Sequence, residues 1–411
     1  MRAGGDCRQY RPADIRTEGP HSLASPTSLA SYASVAPSLP FTIMFDVFGV
    51  IRHLIHLDRV TIDNVIFSLH SKVTMVILVA FSLLVSKKHY FGDPIDCMVE
   101  AISSHTIDMF CWIQSTYTIP ALTGDVVGEQ VAHPGVSNHD AFGKSKINIG
   151  GHQYPIRYHK YYQWVVLFLF LQAGMFYFPH WIWKRLEGGR LRGLVTELDL
   201  PCLSDDRKHE RMNFALQYFN HYFHHHNVYA YQFFVCELLN FVNVIGQIYL
   251  TDKFLDLGFA KYGPRVLNYS QDSSSGHDPM DEIFPKVTKC TFHKFGPSGT
   301  IMRHDALCVL PLNILNQKIF VFLWFWFVIV AVVSALGLVF RLATFTPSVR
   351  YLLLRSRCRL VPTEKVKAIS QRCYIGDWFI IHLLAKNMDQ FTLKDFINDL
   401  TRTLVEKEHV S

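Results

Sequence analysis

Residues 161–183 read YYQWVVLFLFLQAGMFYFPHWIW, an apolar and aromatic stretch without a formal charge, closed at once by Lys184 and Arg185. At 1.5 Å per residue, about 20 such residues cross the roughly 30 Å hydrocarbon core of a bilayer as a single helix. Tyr161, Tyr162 and Trp164 at one end and Trp181 and Trp183 at the other form the aromatic belts expected at headgroup level. Pro179 lies near the second end, where the carbonyl it frees still reaches water or a neighbouring helix. A helix buried in a large soluble protein is the weaker reading, because these flanks are those of a membrane span.

Three further stretches share this character. Residues 67–86 are apolar at their centre, with Lys72 placed to snorkel to the interface. Residues 228–250 carry Glu237 and several amides, and residues 319–340 are the most apolar and end at Arg341. Only 18% of the chain is charged, against about 25% in ordinary soluble proteins. The net charge of +6 is too mild and too scattered for a nucleic-acid partner. No Gly-rich phosphate loop, nucleophile elbow or paired-carboxylate pattern occurs, so the chain reads as a non-enzyme without cofactor or metal. The fold class expected is an all-α membrane protein: a four-helix bundle with small disulfide-linked extracellular β elements and a helical cytosolic domain.

The resulting organisation is a polar extension over 1–43, read as disordered, and an amphipathic N-terminal segment over 44–66. Spans follow at 67–86, 161–183, 228–250 and 319–340. They are separated by an outside loop (87–160), a cytosolic loop (184–227) and a second outside loop (251–318), with a cytosolic domain over 341–411. Lys184, Arg185, Arg190 and Arg192 crowd the exit of the second span, and Arg341, Arg350, Arg355, Arg357 and Arg359 follow the fourth. By the positive-inside rule both termini and the middle loop are cytosolic. Cys97 and Cys111 then fall in the first outside loop and Cys290 and Cys308 in the second, where an oxidising space favours disulfides. Four cysteines allow three connectivities, which spacing alone does not rank. Cys202, Cys358 and Cys373 are expected to stay reduced. The sequon Asn268-Tyr269-Ser270 also falls outside, which makes Asn268 a glycosylation candidate.

Several short runs resemble the innexins, the gap-junction channel proteins of invertebrates. Tyr161, Tyr162, Gln163, Trp164 and Val165 match the family signature. Further landmarks are Phe45-Asp46-Val47-Phe48-Gly49, Gly92-Asp93-Pro94-Ile95-Asp96-Cys97, Glu187-Gly188-Gly189, Pro285-Lys286-Val287-Thr288-Lys289-Cys290 and Gly376-Asp377-Trp378-Phe379. The resemblance covers about residues 44–405. It departs from the pattern in the 43 residues before Met44 and at Val166, where many members carry cysteine.

The resemblance implies a plasma-membrane, multi-pass subunit of a gap junction. Like subunits, in homo- or hetero-oligomers, form a ring resembling an octamer, which docks with a ring in the apposed cell or acts undocked as a hemichannel. It favours bridges from Cys97 to Cys308 and from Cys111 to Cys290, and a pore lined by the N-terminal segment and the first span. Phe45, Asp46, Asp58 and Asp63 are therefore candidates for the pore mouth. A working channel that begins near Met44 is expected, because that segment would fold into the pore. The competing reading is a non-conducting four-span adhesion or scaffold protein.

Two other groupings have a bland and a sharp reading. Glu237, Asn240, Asn243 and Gln247 share one helix face, either as a pore wall or, more simply, as hydrogen-bonding glue between helices. His221, His224 and His225 resemble one histidine box of a membrane di-iron enzyme. Only His53 and His56 offer a second close pair, so juxtamembrane surface is the expectation. Between Cys290 and Cys308, Gly296-Pro297-Ser298-Gly299 signals a hairpin turn.

Overall fold

The computed structural model describes residues 60–410 except 101, 126, 130, 138–144, 150, 197, 199–204, 257 and 272–278. Among the described residues, four helices are long and apolar enough to cross a membrane: Val65–Tyr90, Val165–Glu187, Asn227–Phe254 and Pro311–Ala343. Each packs on its neighbours in sequence and the fourth returns to the first, giving a closed four-helix bundle. The bundle core is made of Leu78, Leu169, Phe176, Val244, Phe320 and Phe327 with their neighbours. Outward faces stay apolar: Phe170, Val235, Val242, Ile329 and Leu336 are all more than 40% exposed in the single chain. An apolar surface that large is tolerated only against lipid or other subunits.

The helix ends differ from the apolar stretches for local reasons. The first helix starts at Asn64, whose side chain accepts the Phe67 N–H at 2.8 Å and so caps an orphan donor. The second begins at Val165, because Tyr161–Gln163 forms a 3-10 turn that belongs to the loop layer. It runs through Lys184 and Arg185 and stops where Gly188 and Gly189 both take left-handed backbone, at φ 61° and 80°. Those angles suit glycine because a residue with a Cβ is strained against its own backbone there. The fourth starts at Pro311, whose missing N–H and fixed φ suit a first turn.

At one end of the bundle the two long inter-span segments build a single sheet. Its strands are β1 (Asp96–Met98), β2 (Thr116–Thr118), β5 (Arg157–His159), β6 (Val287–Phe295) and β7 (Ile301–Val309). The order is β1-β7-β6-β2-β5, with every pair antiparallel. The β6–β7 hairpin from the second segment is thus inserted between strands of the first. A separate two-stranded ladder joins β3 (Lys146–Ile149) to β4 (His152–Pro155).

At the other end, residues after the second and fourth spans form one helical layer. Helices Asp205–Tyr222, Pro347–Arg357, Thr363–Arg372, Ile375–Asn387 and Gln390–Val410 share a core containing Phe219, Leu354, Trp378, Ile381, Phe396 and Leu400. That core also reaches Tyr229 and Phe233 of the third span, so this layer is continuous with the bundle.

Candidate functional site

Cys97 on β1 bonds Cys308 on β7, and Cys111, on helix Ser104–Gln114, bonds Cys290 on β6. Cys97 and Cys308 are also register partners in the ladder, so the bond joins strands that already pair. The second bond pins a helix over the same hairpin. All four residues are at most 2% exposed and sit with Ile95, Ile107, Ala306 and Leu310 in a small core of their own. Asp108 accepts the Cys97 N–H at 2.7 Å and the Ser104 hydroxyl at 3.1 Å, which orients the helix carrying Cys111. The sulfurs of Cys97, Cys111 and Cys308 lie close enough to hold a metal, but as disulfide sulfurs they offer no thiolate.

The hairpin is held at its base and free at its tip. Its base, Val287 opposite Val309, lies two residues from the fourth span. Lys289, buried near the base, donates to the Ser137 carbonyl at 2.8 Å and pairs with Asp305 at 2.7 Å. Nine residues per strand carry the tip about 30 Å from there. Among the described residues, β1 pairs β7 only from Leu307 to Val309, and β2 pairs β6 at Lys289 alone, so both outer edges are open towards the tip. The turn closes with Gly296 N–H to Thr300 O at 2.7 Å and Gly299 N–H to Gly296 O at 3.0 Å. Phe295 at 77% and Ile301 at 64% exposure leave that tip apolar.

The signature residues fasten this cap to the second span. Tyr162 is fully buried against Trp112, with ring centroids 4.6 Å apart, and Gln163 donates to the Trp112 carbonyl. Tyr161 meets Phe284 edge-on, Trp164 faces outwards, and Val165 enters the bundle core. Burial pushes the Tyr162 phenol up to about 12. On β5, burial and then the nearby Arg157 charge hold His159 down at about 3, so it stays neutral beside the Thr118 hydroxyl, 2.8 Å away.

The polar face of the third span points into the bundle of its own chain. Glu237, Asn240 and Gln247 are buried, and Asn243 accepts from Gln247 at 3.2 Å. Arg341 donates from Nε and Nη2 to the two oxygens of Glu237 at 2.6 and 2.7 Å, and Asn64 also donates to that carboxylate. The guanidinium lies over the rings of Phe233, Phe234 and Phe379. This cluster ties the start of the first span and the first half of the third to the end of the fourth. Asp63, beside it in sequence, is only 9% exposed and lies 3.3 Å from His180 Nδ1. Phe45, Asp46 and Asp58 lie outside the described residues, as does Cys202. Asn268 is exposed on helix Tyr262–Gln271.

One functional arrangement escaped the sequence reading. Asp377, fully buried, accepts from His226 Nδ1 at 2.8 Å and from the His224 N–H at 3.1 Å, with the His224 ring at 3.3 Å. His221, His224 and His225 are exposed, whereas the neighbouring His226 is 5% exposed and docks the C-terminal helices onto the third span. Gly376 makes this approach possible. A Cβ there would lie 2.2 Å from the His226 carbonyl carbon. The only sequence signal was the neighbourhood of two motifs, a His run and Gly-Asp-Trp, about 150 residues apart. In the same layer, burial raises the Cys358 thiol to about 11, and burial with the nearby Asp377 charge raises Cys373, so both remain protonated at neutral pH.

A family model described as Innexin matches residues 63–404. Innexin inx2 of Schistocerca americana is 50% identical over 369 residues, covering 89% of this chain and 100% of the relative. Innexin inx2 of Drosophila melanogaster is 49% identical over 89% of this chain and 98% of its own length. Innexin shaking-B of the same species is 39% identical over 89% of this chain and 96% of its length.

Proposed function

The chain belongs to the innexin family, the gap-junction channel proteins of invertebrates, and from that premise we propose how its parts divide the work. Eight like subunits form a ring in the plasma membrane, with both termini in the cytosol and the disulfide-linked cap outside. Two rings dock tip to tip through the β6–β7 hairpins, joining two cytoplasms for ions and small solutes. An undocked ring acts as a hemichannel. The N-terminal segment and first span line the pore, where Asp46 and Asp58, repeated around the ring, favour cations.

The observation that carries the docking reading is a hairpin clamped at its base by two disulfides whose tip is apolar and whose edges are open. Open backbone edges offer hydrogen bonds to a matching edge, and Phe295 and Ile301 offer area to bury. A glycan on Asn268 would crowd such a contact and favour the undocked form. The test is dual whole-cell recording from paired cells expressing Phe295→Ser with Ile301→Ser. Junctional conductance should fall at least tenfold while single-cell hemichannel current stays within twofold of wild type. Unchanged junctional conductance would remove the hairpin from docking.

A further inference from the structure

The ends of the second and third spans remote from the disulfides enclose a cavity of about 470 Å³ that the channel reading does not use. Two polar atoms of its lining residues have no partner among the described residues: His226 Nε2 and the Tyr229 hydroxyl. Both residues are more than nine-tenths buried, at 5% and 4% exposure. A buried polar atom left unpaired is costly, which favours a hydrogen-bonding occupant at each.

Arg190 says what kind of occupant. It is the one Lys, Arg, Asp or Glu among the lining residues, and it forms no ion pair or hydrogen bond among the described residues. Two carboxylates of this region are already engaged. Glu187 accepts the Gly189 and Leu191 N–H groups at 2.7 and 2.6 Å, and Asp377 takes the other ring nitrogen of His226. Two more phenols, Tyr218 and Tyr222, line the wall. The rim carries Phe214 and Val228, 53% and 65% exposed, and Val228 lies in the first turn of the third span. A cation, phenol hydroxyls and an apolar rim at the membrane boundary match a phosphate with a hydrophobic neighbour.

We propose that this cavity binds a phosphate ester, with Arg190 and the Tyr229 hydroxyl as its ligands. The phosphate belongs either to a membrane lipid whose chains lie along Phe214 and Val228, or to a soluble ester.

Purified full-length protein in detergent is titrated by calorimetry with dihexanoyl phosphatidate, sn-glycerol 3-phosphate and dihexanoyl glycerol. Phosphatidate should bind, and its affinity should fall about tenfold or more in Arg190→Gln and about fivefold in Tyr229→Phe, in line with loss of a charged and a neutral hydrogen bond. Tyr229→Phe removes one oxygen and keeps the ring, so it remains informative if Arg190→Gln misfolds. Binding of phosphatidate alone assigns the site to lipid, and equal binding of glycerol 3-phosphate assigns it to a soluble ester. Failure of both phosphates to bind, equal binding of dihexanoyl glycerol, or Tyr229→Phe within twofold of wild type for both phosphates would overturn the proposal.

Discussion

Replacing Glu237 by glutamine removes one negative charge from the most tightly bonded ion pair in the bundle while keeping its shape. Glu237 and Arg341 side chains are 6% and 12% exposed, so the pair is largely desolvated. Breaking such a pair by removing one partner costs about 3–5 kcal/mol, because the remaining charge stays buried. Two features place Glu237→Gln near the lower end. The amide oxygen still accepts one bond from Arg341, and the guanidinium keeps its three aromatic faces. An expected loss of about 3 kcal/mol is large beside the 5–15 kcal/mol total of a typical domain. Pairing it with Arg341→Gln separates the pair from its parts. The double variant no longer buries an uncompensated charge, so it should regain about 1–2 kcal/mol relative to the sum of the singles. The assay is denaturant unfolding of the purified protein, followed by Trp fluorescence, as a double-mutant cycle. A coupling below about 0.5 kcal/mol would refute the claim that these groups act as one buried unit.

Cys97→Ser should lower stability by about 2–5 kcal/mol and abolish coupling of paired cells, because the lost bond closes a loop with a sequence separation of 211; non-reducing electrophoresis and junctional recording check both. Gly376→Ala should detach the C-terminal helices from the third span, read as faster proteolysis of residues 347–410, since its Cβ meets backbone rather than a flexible side chain. Burial, then the Arg357, Arg341 and Lys386 charges, hold His382 down at about 4 against an ordinary 6.5. The unfolded chain therefore binds the proton first, so stability is lost as pH falls from about 6.5 to about 4. In His382→Gln that loss should shrink, and an unchanged pH slope in thermal melts would contradict it. Tyr162→Ala, which empties a fully buried site against Trp112, should cost about 3–5 kcal/mol by denaturant unfolding.

What the sequence determined by itself is whatever a bilayer or a single turn imposes. Four long, predominantly apolar runs could satisfy their backbone groups in lipid only as helices, and that requirement needs no knowledge of neighbours. The Gly296-Pro297-Ser298-Gly299 turn and the family motifs were likewise local. Which cysteine meets which was not local: spacing left three connectivities, and the bonds follow from a sheet that places the β6–β7 hairpin between strands of the other segment. The same holds for the polar residues. Helical period put Glu237, Asn240, Asn243 and Gln247 on one face, but only the packing of the fourth span brought Arg341 to Glu237. His226 and Asp377 are 151 residues apart and no local pattern joins them; burial makes them partners, because neither can leave water without the other.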